Sequence, residues 1–332
     1  MSKTSTVDVA RREARVGLPD SLSGMPSEVR KHKPGNAIKR LFFSRKAAPY
    51  LFIAPFIISF LLFWAAPITR SVMMSFEHRI PGYTEFVGFE NYERMFGDRL
   101  FWLAVNNSLR YMLLTLVILV PIPLALAVMI NSKLGSRKVK AFFKTAMFLP
   151  ALTSVVVAGI VFRLIFSEGS NALMNQVIGL FGIEPNRWLR NDLTGLMVLL
   201  LLAFWRWAGV NLMYFLAALQ QVPDELYEAA AIDGASKWRT FWSITLPSIK
   251  PTILFVVTIS VFGGLSMFVE SFMLWGATSP QNIGLTIVGY LYRLGIDRGD
   301  WGYASAVGVV LLVLAINLAQ LTISGFFRKE KR

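Results

Sequence analysis

Long apolar stretches alternate with short polar connections along most of the chain. Ala47 to Thr69, Ser108 to Ile130, Ala141 to Phe166, Leu193 to Leu219, Thr252 to Trp275 and Tyr303 to Phe327 are rich in Leu, Val, Ile, Phe and Ala and hold few charges. About 20 such residues in helical form cross a hydrocarbon core about 30 Å thick. The pattern therefore predicts an all-α integral membrane protein with about six transmembrane helices. Pro55, Pro67, Pro121, Pro123 and Pro150 fall in or near these stretches, where neighbouring helices must take up the hydrogen bonds that proline leaves unmade. No internal repeat is visible.

Composition agrees, with 55% hydrophobic and 16% charged residues in a chain of 332, too apolar for a soluble domain with a wetted surface. The chain has no Cys and only two His, His32 and His78, so neither a disulfide framework nor a thiolate or imidazole metal cluster is expected. A net charge of +14 could signal nucleic acid, but the basic residues crowd the termini and one short loop instead of striping a soluble face among aromatics. They read as membrane topology. The N-terminal tail, Lys133 to Lys144, Gln220 to Lys250 and the C-terminal tail hold 23 Lys and Arg, against 8 in the alternate connections, at Arg70, Arg79, Arg94, Arg99, Arg187, Arg190, Arg293 and Arg298. Positive loops stay in the cytoplasm, so both termini are predicted there. Residues 1–46 contain no apolar core for a cleavable signal and read as a disordered basic tail on anionic headgroups. Residues 47–327 form the membrane domain, and residues 328–332 form a second cytoplasmic tail.

One connection, QVPDELYEAAAIDGASKWRTFWSITLPSIKP from Gln221, is written as two short helices. Pro223 suits a first helical position, Asp224 and Glu225 complement the positive end of the first turn, and Glu228 to Ala231 are strong helix formers. Asp233-Gly234 then offers a turn with φ > 0. The second helix is expected from about Ser236 toward Ser243, with Leu246-Pro247 and Lys250-Pro251 closing the loop. Composition alone allows either a low-relief knob for another protein's groove or a helix pair lying on headgroups.

Glu228-Ala229-Ala230, Gly234 and then Ile244-Thr245-Leu246-Pro247 resemble the EAA loop of binding-protein-dependent ABC importer permeases. Phe86-Val87-Gly88-Phe89-Glu90-Asn91-Tyr92, Leu149-Pro150, Asp233-Gly234-Ala235 and Gly302-Tyr303-Ala304-Ser305-Ala306 are similar to segments of its carbohydrate-uptake branch, the MalF-like permeases. The resemblance implies the type I importer permease architecture, multi-pass in a bacterial inner membrane, with loop 220–250 entering a cleft of an ATPase. Glu228, Ala229, Ala230, Asp233, Gly234 and Ala235 would be the coupling residues. It implies as partners a second homologous permease subunit, two copies of an ATP-binding subunit, an extracytoplasmic solute-binding protein, membrane lipid and a sugar. The chain has no phosphate-cradling G-x-x-x-x-G-K-[ST], so ATP and Mg would be held by the partner ATPase. No catalytic residue, metal ligand or cofactor is assigned to this chain.

Arg206 lies near the middle of the fourth stretch, where an unpartnered charge costs about 3 kcal/mol or more. With Trp205, Trp207 and Asn211 it offers rings for the apolar faces of a sugar and polar groups for its hydroxyls, at a place that lines the sugar site in the MalF-like permeases. Ser260, Gly263, Gly264, Met267 and Glu270, with Ser266, stand where that family lines the pathway in the fifth stretch. Two alternatives remain open: Arg206 neutralising Glu270 with the tryptophans packed on a second permease, and the glycine pair serving helix packing. Arg110 and Arg163 are expected to snorkel to the headgroups. In place of the family's Gly-Gly-Pro stretch stands Gly276-Ala277-Thr278-Ser279-Pro280. The leading expectation is an importer of a mono- or oligosaccharide. Rivals are the same importer class for a glycerophosphate or polyol, and an ion-coupled secondary carrier using Arg206 and Glu270 as a relay.

Overall fold

The structure is a computed structural model and describes residues 48–132, 136–276 and 278–327. The expectations for tails 1–46 and 328–332 lie outside the described residues. The chain divides into two compact units, Met1–Ala65 and Ala66–Arg332. In the first, α1 (Ala48–Phe60) contains Pro55 and is followed by a π-helical turn, Leu61–Ala65, with no buried residue.

The second unit opens with α2 (Ala66–Met74) and a hairpin, β1 (Glu77–Ile80) paired antiparallel with β2 (Tyr83–Phe86) in the register Glu77 to Phe86. Pro81-Gly82 makes the turn, with Gly82 at φ +82. A short helix, α3 (Glu90–Gly97), precedes α4 (Arg99–Leu119) and α5 (Pro121–Asn131). Next come α6 (Arg137–Phe148), α7 (Val155–Ile165), α8 (Leu173–Gly179) and the 28-residue α9 (Asp192–Leu219). The EAA-like connection forms α10 (Asp224–Ile232), α11 (Lys237–Thr240) and α12 (Leu246–Ser248). The last helices are α13 (Lys250–Leu265), α14 (Val269–Trp275), α15 (Ile287–Tyr292) and α16 (Trp301–Phe327).

By length and apolarity, Pro49–Met74, Arg99–Asn131, Asp192–Leu219 and Trp301–Leu321 can each cross a membrane, and two bent helix pairs raise the number to as many as six. The first of these bends corrects the third expected span, and a separate break corrects the fifth. Ala141 to Phe166 is not one helix: Arg137–Leu152 and Val155–Ile165 meet at 100°, after a single 3-10 turn at Leu149–Leu152 that contains Pro150. Nor is Thr252 to Trp275 continuous, because the backbone leaves the helix at Phe268, φ −147 and ψ −53. The Ser266 hydroxyl donates back to the Phe262 carbonyl at 2.8 Å, and the Met267 carbonyl released by the break accepts from the Thr286 hydroxyl at 2.8 Å. The second connection helix also runs past its expected end, through a π-helical turn at Phe241–Thr245 to Ser248.

Helix α9 is the axis of the second unit, packing along α4 and α5 and touching α6, α7 and α13. One buried cluster joins Leu124, Leu212, Phe215, Leu216, Ile249 and Val256 from α5, α9 and α13, with Tyr227, Phe241 and Leu246 of the connection packed on it. A second, around Phe101, Tyr290, Leu294 and Tyr303, gathers α4, α15 and α16. The FVGFENY segment is explained here. Asn91 donates its side-chain amide to the Ser75 and Glu77 carbonyls at 3.0 and 2.9 Å, and the Tyr92 and Ser75 hydroxyls lie 2.7 Å apart. Gly302 backs onto the same place, since a Cβ there would sit 1.9 Å from the Glu77 carbonyl oxygen.

Candidate functional site

Successive residues of an α-helix turn by about 100°, so Ala203, Trp207 and Asn211 share one face of α9 while Trp205 points the other way. The first three line a cavity of about 360 Å³ closed by Tyr111, Thr115 and Leu119 of α4 and by Ser260, Gly263, Gly264, Met267 and Glu270 around the α13–α14 break. Seven of the nine expected pathway residues thus meet at one cavity. Trp205 does not; its ring packs 5.7 Å from that of Phe162. Arg206 lies behind the wall, its Nη1 donating to Glu270 Oε1 at 3.0 Å and its guanidinium 5.3 Å from the Trp207 ring. The side chains of this pair are 12% and 15% exposed, and Arg206 Nε has no hydrogen-bond partner among the described residues.

Asn211 has a structural duty as well. An α-helical carbonyl at position 119 would accept from the N–H of residue 123, but that residue is proline and has none. The Asn211 amide donates to the Leu119 carbonyl instead, at 2.8 Å. The glycine pair divides in the same manner: a Cβ at Gly264 would lie 2.9 Å from the Met112 backbone, whereas nothing among the described residues lies within 4 Å at Gly263. Gly264 therefore seats α13 on α4, and Gly263 leaves the cavity open. Tyr111 and Thr115 escaped the sequence reading; their signal was an i, i+4 pair of hydroxyl side chains on one face of an apolar helix.

Arg110 is partly exposed and paired. It donates to Asp192 Oδ2 at 2.6 Å, in a crevice that shares Tyr111 and Met267 with the cavity. Arg163 is exposed in the last turn of α7. Past the break, the segment from Asn282 to Leu285 is held by side chains: the Asn107 amide donates to the Asn282 and Leu285 carbonyls at 3.0 Å, and Ser271 donates to that of Gly284 at 2.6 Å. Ala277 lies outside the described residues.

In the connection, Pro223 is the N-cap and α10 begins at Asp224. It ends in a Schellman motif: Ala235 N–H donates to the Ala230 carbonyl at 2.9 Å and Gly234 N–H to that of Ala231 at 3.2 Å, with Gly234 at φ +70. Glu228, Ala229, Asp233 and Gly234 are exposed, Ala235 is half-buried and Ala230 is buried. The Ser236 side chain caps α11 by accepting from Arg239 N–H, and the Tyr227 and Thr245 hydroxyls, 3.2 Å apart, tie the two helices.

At the other end of the described helices, Asp98 caps α4, accepting from Leu100 N–H at 2.8 Å. Its Oδ2 also accepts from the Tyr290 hydroxyl and, at 2.8 Å, from that of Tyr303. Burial pushes the Asp98 carboxyl up, but the bonds from Tyr290, Tyr303 and the Leu100 and Phe101 amides outweigh it and hold the group below its ordinary value. Arg94 pairs with Asp300 at 2.7 Å and lies 4.2 Å above the Tyr303 ring.

Known proteins carry the same sequence pattern. The profile of the family described as "binding-protein-dependent transport system inner membrane component" matches residues 22–329. The chain belongs to that family. The permease is 50% identical over 292 residues, 87% of its length and 92% of the relative's, to the arabinooligosaccharides transport system permease protein AraP of Bacillus subtilis. It is 33% identical, over 85% of its length and 94% of the relative's, to the lactose transport system permease protein LacF of Rhizobium radiobacter. A chain of the solved bacterial ABC transporter for import of the acidic polysaccharide alginate superposes with TM-score 0.77 at 27% identity, covering 88% of the permease and 97% of that chain. A chain of a bacterial alginate ABC transporter in complex with an alginate pentasaccharide-bound periplasmic protein superposes with TM-score 0.75 at 27% identity, covering 85% of the permease and 96% of that chain. The permease is therefore a membrane-embedded subunit of an ABC importer with the type I permease fold. Among the described residues no group of three or more His, Cys, Asp or Glu could hold a metal ion.

Proposed function

We propose that this permease translocates a sugar, a mono- or oligosaccharide, through the cavity between α4, α9 and the α13–α14 break. The cavity itself carries the reading: Tyr111 and Trp207 supply aromatic surface for the apolar faces of a pyranose or furanose ring, and Thr115, Asn211, Ser260 and Glu270 supply polar edges for hydroxyls. The sugar specificities named for the relatives, arabinooligosaccharides and lactose, support it. Membership of a binding-protein-dependent family leaves the lone ion-coupled carrier without support.

In this reading the chain pairs with a second, similar permease, receives solute from an extracytoplasmic binding protein and is driven by two copies of an ATPase that hold the ATP and Mg. Both termini lie in the cytoplasm, with residues 1–46 and 328–332 as basic tails about a membrane domain at 47–327. The Glu228 to Ala235 knob of loop 220–250 seats in the ATPase, its exposed carboxylates at Glu228 and Asp233 meeting basic groups there. Movement of the knob reaches the solute through the end of α9: from Asn211 to Leu219 is 8 residues, about 12 Å of helical rise, braced by the α5–α9–α13 core.

Uptake of radiolabelled arabinotriose into right-side-out membrane vesicles, prepared with and without this chain alongside its partner subunits and binding protein, tests the proposal. Uptake that needs both the chain and ATP is expected. Uptake of a glycerophosphate or polyol in place of the trisaccharide refutes it.

A further inference from the structure

We infer that Glu270 sets the solute class of this pathway, making it one for uncharged sugars and excluding uronates. The inference rests on the sugar reading above and narrows it.

The fold leaves the matter open, since the alginate importer's chain shares it and serves an acidic polysaccharide. The decision must therefore be local. An arginine guanidinium stays protonated in proteins, so the charge of the cavity depends on what stands beside Arg206. What stands there is Glu270, at 3.0 Å, and the two do not face the solute equally: Glu270 is part of the cavity wall whereas Arg206 is not. A solute in the cavity meets a carboxylate, with the cation behind it. Carboxylate oxygens accept hydrogen bonds from sugar hydroxyls and donate none. A uronate placed at the same wall brings a second carboxylate beside the first, with its compensating cation already engaged and farther away.

The neighbouring crevice repeats the arrangement. It shares Tyr111 and Met267 with the cavity, and its cation, Arg110, is paired with Asp192 at 2.6 Å. Both arginines along this stretch are thus answered by an acid of the same chain, and no net positive charge is offered to an anionic solute. The Arg206–Glu270 pair is largely shielded from solvent, so a unit charge a few Å away is screened less there than in bulk water.

The test uses the complete importer in nanodiscs without binding protein, and measures equilibrium binding of arabinotriose and of trigalacturonate. Wild type is expected to prefer arabinotriose. Glu270→Gln leaves Arg206 uncompensated and is expected to shift the ratio of the two dissociation constants toward trigalacturonate by about tenfold or more. Arg206→Gln in the same chain as Glu270→Gln removes the cation and is expected to reverse that shift. If Glu270→Gln fails to assemble, the exchanged pair Arg206→Glu with Glu270→Arg keeps the ion pair, puts the cation on the wall and must favour trigalacturonate. A ratio unchanged by these variants, or a wild-type preference for trigalacturonate, overturns the inference while leaving the sugar reading intact. Binding of neither trisaccharide by wild type overturns the sugar reading and this inference together.

Discussion

Gly234 offers a way to separate the backbone of the proposed coupling knob from its outline. Its φ is +70, it is exposed, and a Cβ added there would find nothing within 4 Å among the described residues. Within the permease, then, Gly234→Ala costs only the left-handed conformation, about 1–2 kcal/mol for a residue with a Cβ, and Gly234→Asn costs less because Asn tolerates that region. Such a loss raises the population of the opened turn by about 5–30-fold. Opening it breaks the Ala235–Ala230 and Gly234–Ala231 bonds that end α10. Pro fixes φ near −65°, so Gly234→Pro cannot form the turn at all. In proteoliposomes holding the full importer, sugar uptake per ATP hydrolysed is expected to fall in the order wild type, Asn, Ala, Pro, with all four chains inserted equally. If Asn is as damaging as Ala or worse, the size of the side chain against the ATPase decides and the backbone argument is wrong. An unchanged ratio for Gly234→Pro removes the knob from coupling altogether.

Asn211→Leu strands the Leu119 carbonyl that Pro123 cannot serve and is expected to cost about 1–2 kcal/mol, read by denaturant titration in detergent; a neutral result would mean that α4 and α5 need no repair. Gly302→Ala drives a methyl into the Glu77 carbonyl, 1.9 Å away, and should destabilise by about 1–3 kcal/mol while speeding proteolysis near the hairpin; wild-type resistance would contradict the close approach. The depressed Asp98 carboxyl stabilises the fold above its unfolded pKa of about 3.9, and that contribution is lost as pH falls through the lower folded value. Thermal unfolding from pH 6 to pH 3 should show a steeper acid loss for wild type than for Asp98→Asn, and equal slopes would assign no stabilising role to the charged form.

Much of this was legible in the chain, for reasons that differ from place to place. Four spans and the loop helices follow from apolar length, helix formers and the Asp233-Gly234 turn, because those signals are local. The pairing of Arg206 with Glu270 was readable too, since each is a charge with no local partner in an apolar run. The hairpin left only Pro81-Gly82 as a mark, its strands being four residues each. The breaks in the third and fifth spans were hidden because apolar residues continue across them: Leu152 and Val155, or Leu265 and Met267, are as suited to a bent pair as to one helix. Trp205 and Trp207 illustrate the limit at the site. Composition treats them alike, and only the turn of α9 sends one to Phe162 and the other to the cavity.

The breaks and the polar residues form one system. A membrane interior supplies no water to a carbonyl released from its helix, so each interruption needs a donor brought from elsewhere in the chain. Asn211 serves Leu119, Thr286 serves Met267, Asn107 serves Asn282 and Leu285, and Asn91 serves Ser75 and Glu77. Two of these repairs, at Leu119 and Met267, concern residues of the cavity wall itself. Part of the wall is thus irregular backbone held by side chains from α9 and from the segment after α14. A rigid-body shift of α9 must therefore strain the bond to Leu119, and a shift of Thr286 must pull on Met267. Polar residues in apolar stretches of this chain consequently divide into those that hold backbone and those that face the cavity, and Asn211 does both.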